Sequence, residues 1–78
     1  MEIEILSPTE QIFAGSVKQV NLPGTNGSFE ILENHAPIIS TLTQGEVRIV
    51  DSQGEKHIFA ITGGVVEQSN HKVLLLVD

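Results

Sequence analysis

Residues 24–37 read Gly-Thr-Asn-Gly-Ser-Phe-Glu-Ile-Leu-Glu-Asn-His-Ala-Pro, and they hold two turn signals with one short strand between them. Asn26-Gly27 is a strong turn signal because both residue types tolerate a positive φ. Phe29 and Ile31 lie two positions apart, so a strand through them places both side chains on one face. This stretch therefore predicts a tight turn followed by a half-buried strand.

The end of the same stretch is irregular and fixes the direction of His35. Pro37 restricts its own φ and favours an extended conformation for the residue before it. We therefore expect His35 on a stiff segment between two strands. Its imidazole either makes one backbone hydrogen bond or is presented to a partner, and the residues alone leave both interpretations open.

Short apolar runs with turn residues between them continue on both sides of this stretch. Strands are predicted over Glu2–Leu6, Val17–Leu22, Phe29–Leu32, Ile38–Leu42, Val47–Val50, His57–Thr62 and Lys72–Val77, with shorter pieces at Ile12-Phe13 and Val65–Glu67. Turns are predicted at Pro23-Gly24, Asp51–Gly54 and Ser69-Asn70, and a break at Gly63-Gly64. No window has the spacing of an amphipathic helix. Strands at intervals of roughly 8 to 12 residues predict one all-β domain over residues 1–78, an antiparallel sandwich or flattened barrel.

Composition excludes several classes of function. The 78 residues carry ten acidic against four basic side chains, a formal net charge of −6, which disfavours nucleic acid binding. Three Phe with no Trp or Tyr argue against a site that stacks bases or sugars. The acidic, alternating start is unlike a signal peptide. The longest apolar run, Val73–Val77, is too short to span a bilayer.

Two strands are apolar on both faces, namely Ile58–Ile61 and Val73–Val77. An antiparallel strand with one solvated face should alternate between apolar and polar residues. Two explanations remain open at this stage. The second face is either a partner-binding surface, or it is covered because these strands are central to a tight barrel.

The reactive side chains do not form a recognised catalytic motif. No G-x-S-x-G sequence is present, and the three histidines do not have metal-ligand spacing. Glu30 and Glu33 could act as paired carboxylates, but acidic residues in an exposed loop are usually only solvated. We therefore expect no catalytic residue, no metal ligand and no cofactor site.

Two alternative functions have their own requirements. A lipoyl or biotinyl carrier domain needs a lysine at a hairpin tip, whereas Lys18 lies within a strand and Lys56 and Lys72 follow their turns. A small hydrolase or metal-dependent enzyme would bind a metal through His35 together with His57 or His71.

Five motifs occur in an order that identifies a family. They are Ile5-Leu6-Ser7-Pro8, Phe13-Ala14-Gly15, Val20–Phe29 with its Leu-Pro-Gly-Thr-Asn-Gly core, His35-Ala36-Pro37-Ile38-Ile39, and Thr62–Glu67 with its Gly-Gly pair. Over all 78 residues the chain resembles the β-sandwich domain of the epsilon subunit of F-type ATP synthase. The resemblance implies about ten short strands in two sheets.

The resemblance also implies a function and two partners. It implies a non-catalytic rotor subunit without cofactors, which clamps the gamma subunit to the polar loops of the c-subunit ring and so couples ion translocation to ATP synthesis. It implies a peripheral location on the cytoplasmic side of the bacterial inner membrane, with membrane contact only through the complex. The residues expected to face gamma are Ser7, His35, Ala36, Pro37, Ile38, Ile39 and Ser40. Those expected near the c-ring are Asn26, Gly27, Ser28, Phe29, Glu30 and Glu33.

The chain departs from the family pattern in three places. Glu30 replaces a common glycine, and Glu33-Asn34 replaces a common Pro-Gly. We expect Asn34 to supply the positive φ that glycine usually supplies, and both acids to meet basic residues of the c-ring loops. Many members continue into two C-terminal helices, whereas this sequence stops at Asp78, so the resemblance suggests a short form without helical regulation.

Overall fold

The computed structural model describes all 78 residues and consists of β-strands joined by turns. The eight strands are β1 Glu2–Leu6, β2 Gln11–Gly24, β3 Gly27–Leu32, β4 Ile38–Leu42, β5 Gly45–Asp51, β6 Lys56–Ile61, β7 Gly64–Ser69 and β8 Lys72–Val77. The all-β prediction is confirmed. None of the secondary structure is a helix with the length and hydrophobicity needed to cross a membrane.

The strand count is eight where about ten were predicted, because β2 is a single strand of 14 residues. Gly15 does not end it but pairs with Ile3 of β1. Pro23-Gly24 is not a turn either, since these residues pair with Ser28 and Gly27 and the chain reverses one step later. The residue types at Gly15 and at Pro23-Gly24 favour a strand end or a turn. Hydrogen bonding to the neighbouring strands nevertheless keeps both places within β2.

The strands form two packed layers joined into one hydrogen-bonded ring. Sheet I contains β4, β7, β8, β1 and the first half of β2, and sheet II contains β3, the second half of β2, β5 and β6. The pairs are antiparallel except β1 with β8, which is parallel. Thr25 N donates to Thr41 O at 3.1 Å and Thr43 N donates to Pro23 O at 2.8 Å, which ties the end of β2 to β4. The result is a flattened barrel.

A β-bulge in β2 carries the strand from one sheet to the other. Val17 lies opposite Asp51 and Gln19 opposite Val50, so Lys18 is the extra residue. Because of this insertion Val17 and Val20 are both fully buried, although they are three positions apart. Strict alternation along a regular strand would place Val17 and Val20 on opposite faces, and the bulge brings both to the core.

The core lies between the two sheets and contains only aliphatic residues. It comprises Ile3, Ile5, Val17, Val20, Leu22, Ile31, Leu42, Val47, Ile49, Ile61, Val66, Val73, Leu75 and Val77. Phe13, Phe29, Ile38, Phe59 and Met1 pack against its margin. Every strand contributes at least one of these side chains, so both sheets are held in register by the same apolar layer.

Candidate partner-binding surfaces

The outer face of sheet I carries a cluster of exposed apolar side chains. Ile39 of β4 is 73% exposed, Leu76 of β8 is 48% exposed and Val65 of β7 is 39% exposed. Leu74 of β8 is half-buried on the same face. We call Ile39, Val65, Leu74 and Leu76 the sheet I patch. An uncovered apolar cluster of this kind is typical of a protein-binding surface.

Strand pairing explains how this patch arises. Val65 lies opposite Leu76 and also opposite Thr41, so the strands β8, β7 and β4 are aligned in rows. The alternate residues of β8, Val73, Leu75 and Val77, are buried in the core. One face of the apolar strand β8 therefore packs in the core, and its other face is part of the exposed sheet I patch.

The other strand that is apolar on both faces, β6, behaves differently. Phe59 turns inward and contacts Phe13, with ring centroids 5.5 Å apart. Ile58 points outward on sheet II and is 59% exposed. Its direct neighbour across the ladder is Arg48, a charged residue. Ile58 is thus a single exposed side chain and not part of an extended apolar patch.

The segment that carries His35 is irregular, as predicted, and forms one margin of the patch. Asn34 has φ 66°, which confirms the expected positive φ. His35 N donates to Leu32 O at 3.2 Å, and its Nδ1 donates to Ala36 O at 2.7 Å, so the imidazole makes a local backbone hydrogen bond while remaining exposed. The imidazole of His35 therefore makes the local backbone hydrogen bond that was one of the two interpretations. Because the side chain is also exposed, it is available to a partner, which was the other interpretation.

Gln68, which is not among the site residues expected from the sequence, holds this segment from the core side. It is the one buried polar side chain of the molecule, 5% exposed on β7. With its amide nitrogen facing the loop, it donates to Ala36 O at 2.9 Å and to His35 O at 3.3 Å. The sequence pattern could have identified Gln68, because it lies two residues after Val66 and so on the same, inward face of β7. A buried amide at such a position requires hydrogen-bond partners.

The residues expected to face gamma lie on two sides of the sheet I patch. Ser7 is in the turn after β1, where its Oγ accepts from Glu10 N at 3.2 Å. Residues 35–40 lie before and within β4, which is three strand positions from β1 across β8 and β7. Of the two isoleucines in this group, Ile38 packs against the core and Ile39 points outward. Ser40 is half-buried and its Oγ donates to Thr41 O at 3.3 Å.

The residues expected near the c-ring do not form one surface. Asn26, Gly27 and Ser28 are exposed at the tip of the β2–β3 hairpin, beside an open polar groove of about 980 Å³ that also contains Glu30. Phe29 is half-buried and packs against the core margin. The tip is therefore a polar surface in which Phe29 is structural.

Glu33 lies at the opposite end of β3 from this tip. Its carboxylate pairs with the α-amino group of Met1, which also donates to Val17 O at 3.2 Å. The hydrogen bond and charge of this ammonium group lower the pKa of Glu33 below its usual value. The structure therefore separates Glu33 from Glu30, although the sequence placed them together.

The histidines and lysines are dispersed over the molecule. His57 Nε2 donates to Asp51 Oδ2 at 2.9 Å, His71 lies in the β7–β8 turn and His35 lies beside β4. No group of three or more acidic or histidine side chains is arranged to hold a metal ion. Lys18 lies in the β2 bulge, while Lys56 and Lys72 begin β6 and β8. None of the three lysines occupies a hairpin tip.

Comparison with known proteins identifies the family. The sequence model of the ATP synthase delta/epsilon chain β-sandwich domain matches residues 1–78. The ATP synthase epsilon chain of Chlorobaculum tepidum is 37% identical over 76 residues, which is 97% of this chain and 86% of the relative. The epsilon chain of Dichelobacter nodosus is 36% identical over 77 residues, 99% of this chain but 54% of the relative.

Solved structures of low sequence identity show the same fold. A chain in the mitochondrial ATP synthase of Euglena gracilis superposes with a TM-score of 0.86 at 18% identity, over 96% of this chain and 48% of its own length. A chain in the central stalk and c-ring structure of the Tetrahymena thermophila mitochondrial ATP synthase superposes with a TM-score of 0.81 at 17% identity. The superposition covers 99% of this chain and 62% of that chain. The chain spans about half the length of several curated relatives and most of the length of others. It belongs to the family of the ATP synthase delta/epsilon chain, of which it forms the β-sandwich domain.

Proposed function

We propose that this chain is a non-catalytic subunit of the rotor of an F-type ATP synthase, where it joins the gamma subunit to the c-ring. The family match over residues 1–78 and the named epsilon-chain relatives support this role. In this role the domain couples ion translocation to ATP synthesis mechanically, and it forms or breaks no covalent bond. Its location is the membrane-bound complex, at the cytoplasmic face of the bacterial inner membrane.

The sheet I patch is the observation that carries this proposal. It offers four apolar side chains on a rigid layer, and it lies between Ser7 on one side and residues 35–40 on the other. Both margins are positions that the family resemblance assigns to gamma. A partner that covers the patch removes exposed apolar surface from water, which is the main favourable term in protein association.

The hairpin tip is proposed as the end that contacts the c-ring. Asn26, Gly27 and Ser28 are exposed and polar, and Glu30 lies beside them in the groove. Polar groups suit contact with polar loops at a membrane surface. Phe29 supports the tip from within and makes no proposed contact with the ring.

The fold suits transmission of torque between two partners. The two sheets share one close-packed core and are closed by hydrogen bonds from β2 to both β1 and β4. Close-packed interiors have low compressibility, so a force at the tip reaches the sheet I patch without internal rearrangement.

Titration calorimetry against the gamma subunit of the same organism tests the gamma interface. We compare the wild type with Ile39→Asp combined with Leu76→Asp, which places two charges in the sheet I patch. The control is Ile58→Asp, because the exposure of Ile58 lies between those of Ile39 and Leu76 and Ile58 lies on sheet II. We expect one-to-one binding that the double variant loses and the control retains.

Two results would contradict the proposal at different levels. If the double variant and the control bind gamma equally well, the sheet I patch is not part of the interface with gamma. Absence of wild-type binding to gamma, both alone and when gamma is assembled on the c-ring, would overturn the rotor function itself.

A further inference from the structure

A carboxylate lies at the centre of the sheet I patch. Glu67 of β7 lies opposite Leu74 of β8 on one side and opposite Ile39 of β4 on the other. Val65, two residues earlier on the same strand, shares its face. Opposite residues on neighbouring strands have Cβ atoms about 5 Å apart, so Glu67 is within contact range of apolar side chains in three directions.

Glu67 differs from the other acids on this face because its side chain has no hydrogen-bond or ion-pair partner within the chain. Glu4 lies 3.6 Å from Lys72 Nζ and accepts from Gln11 Nε2 at 2.9 Å. Glu2 accepts from the hydroxyl of Ser16. Glu67 is exposed and takes part in none of the side-chain hydrogen bonds or ion pairs of the molecule.

Covering the patch changes the environment of this carboxylate. A partner that buries the apolar side chains around Glu67 also removes water from its oxygens. An ionised carboxylate that loses water without gaining a counter-charge is strongly unfavourable. The ammonium group of Lys72 on this face lies beside Glu4, so stable binding here favours a cationic group from the partner that pairs with Glu67.

We infer that gamma places a basic side chain, an arginine or lysine, against Glu67 inside the ring of apolar contacts made by the sheet I patch. This inference rests on the proposed function. Arginine fits best because its planar fork can bind both carboxylate oxygens and because it is enriched in interface cores. The apolar contacts supply affinity, whereas the enclosed ion pair fixes the orientation of the two subunits.

Calorimetry with gamma tests this pairing through Glu67→Gln. The matched control is Glu55→Gln, which changes the net charge equally at an exposed, unpaired carboxylate in the β5–β6 turn. We expect Glu67→Gln to weaken binding at least tenfold and Glu55→Gln to leave it unchanged. Because an enclosed pair is poorly screened, the ratio between the two variants should persist when the salt concentration is raised.

Three results would overturn the inference. Equal affinities of Glu67→Gln and Glu55→Gln for gamma would show that Glu67 forms no ion pair with gamma, and would leave the proposed rotor function unaffected. A ratio that disappears at high salt would place Glu67 at an exposed rim. Failure of the wild type to bind gamma in any assembly would remove the proposed function and this pairing together. A thermal melt of each variant verifies that it is folded, which we expect because both positions are exposed.

Discussion

At the scale of single residues, Asp51 organises the turn between β5 and β6. Its Oδ1 accepts from the backbone N of Gln53 and of Glu55, both at 2.9 Å, and its Oδ2 accepts from His57 Nε2. The hydrogen bond from His57 is the main cause that lowers the pKa of Asp51 below its usual value of 3.8, and the turn amides add to it. The ring of His57 also packs 4.9 Å from that of Phe13.

Asp51→Asn should lower stability in a way that depends on pH. Because the pKa of Asp51 is lower in the folded state, its ionised form stabilises the protein above the unfolded-state value, and this contribution is lost as pH falls through the folded-state pKa. Thermal melts at pH 6 should show a lower melting temperature for Asp51→Asn than for the wild type. Below pH 3 the difference should shrink. Glu55→Gln, in the same turn, should show no such change, and an equal pH dependence in both variants would contradict the role of Asp51.

The β7–β8 turn holds two non-glycine residues in the left-handed region, Asn70 with φ 49° and His71 with φ 62°. Asparagine tolerates this conformation, whereas histidine does so at a cost. His71→Gly should therefore raise the free energy of unfolding by about 1 kcal/mol. Chemical denaturation measures the change. His71→Ala keeps the backbone cost and removes the imidazole, so an equal gain in that variant would show that the side chain, not the backbone, is responsible.

At the scale of elements, the start of β7 leaves no space for a side chain next to the backbone of β8. A Cβ on Gly64 would overlap the carbonyl oxygen of Leu76 and lie 3.0 Å from Val77 Cα. Both groups are backbone and cannot move without opening the β7–β8 ladder. The Gly-Gly break therefore includes a position, Gly64, at which the backbone of β8 leaves no space for a Cβ atom.

Gly64→Ala should destabilise the protein by roughly 1–3 kcal/mol, the usual cost of overpacking. Gly15→Ala is the matched control, since its added methyl group meets only the ring of Phe13 at 3.9 Å. Urea denaturation of both variants checks the prediction. Similar stabilities for the two alanine variants would show that β7 and β8 separate easily at this point.

Gln68 links β7 to the segment that precedes β4. Gln68→Met keeps the length of the side chain but leaves the carbonyl groups of Ala36 and His35 without this donor. We expect a loss of roughly 1–3 kcal/mol and faster hydrogen exchange of the His35 amide. Gln53→Met, in an exposed turn, serves as the control. Unchanged exchange at His35 would mean that the segment is held without Gln68.

At the scale of the whole molecule, negative charge is distributed unequally with respect to the proposed partners. Glu30 lies near the hairpin tip, whereas Glu33 at the other end of β3 is neutralised by the α-amino group of Met1. Of the two acids, we therefore expect only Glu30 to meet the c-ring. Glu33 has a structural partner of its own.

Glu30→Gln should weaken assembly of the domain and gamma with the c-ring at low salt, and Glu33→Gln should not. The reason is that only Glu30 lies beside the proposed contact, and that exposed charge pairs act mainly at low ionic strength. Co-sedimentation with reconstituted c-rings at 20 and 200 mM salt, chosen to span roughly a threefold change in Debye length, measures the effect. Equal losses in both variants would indicate a general charge effect and not a contact at the tip.

Local chemistry determined much of this protein before any tertiary information. Alternation fixed the strand faces of β1 and β5, and the Asp51–Gly54 turn followed from its residues. The positive φ of Asn34 was expected because Asn34 stands where the family commonly has glycine. The motifs from Ile5 to Glu67 determined the family. These features depend on residues close together in the sequence, where backbone preferences and side-chain alternation act directly.

The tertiary structure alone decided features that depend on pairing between distant residues. It merged the predicted pieces around Gly15 and Pro23 into β2, because long-range ladders outweighed local turn preferences. It paired β1 with β8 in parallel, separated Glu30 from Glu33 and turned Ile38 inward while leaving Ile39 exposed. It also placed Glu67 inside an apolar patch assembled from three strands. The physical reason is that a sequence specifies which face a residue occupies, whereas only the pairing of strands specifies its neighbours on that face.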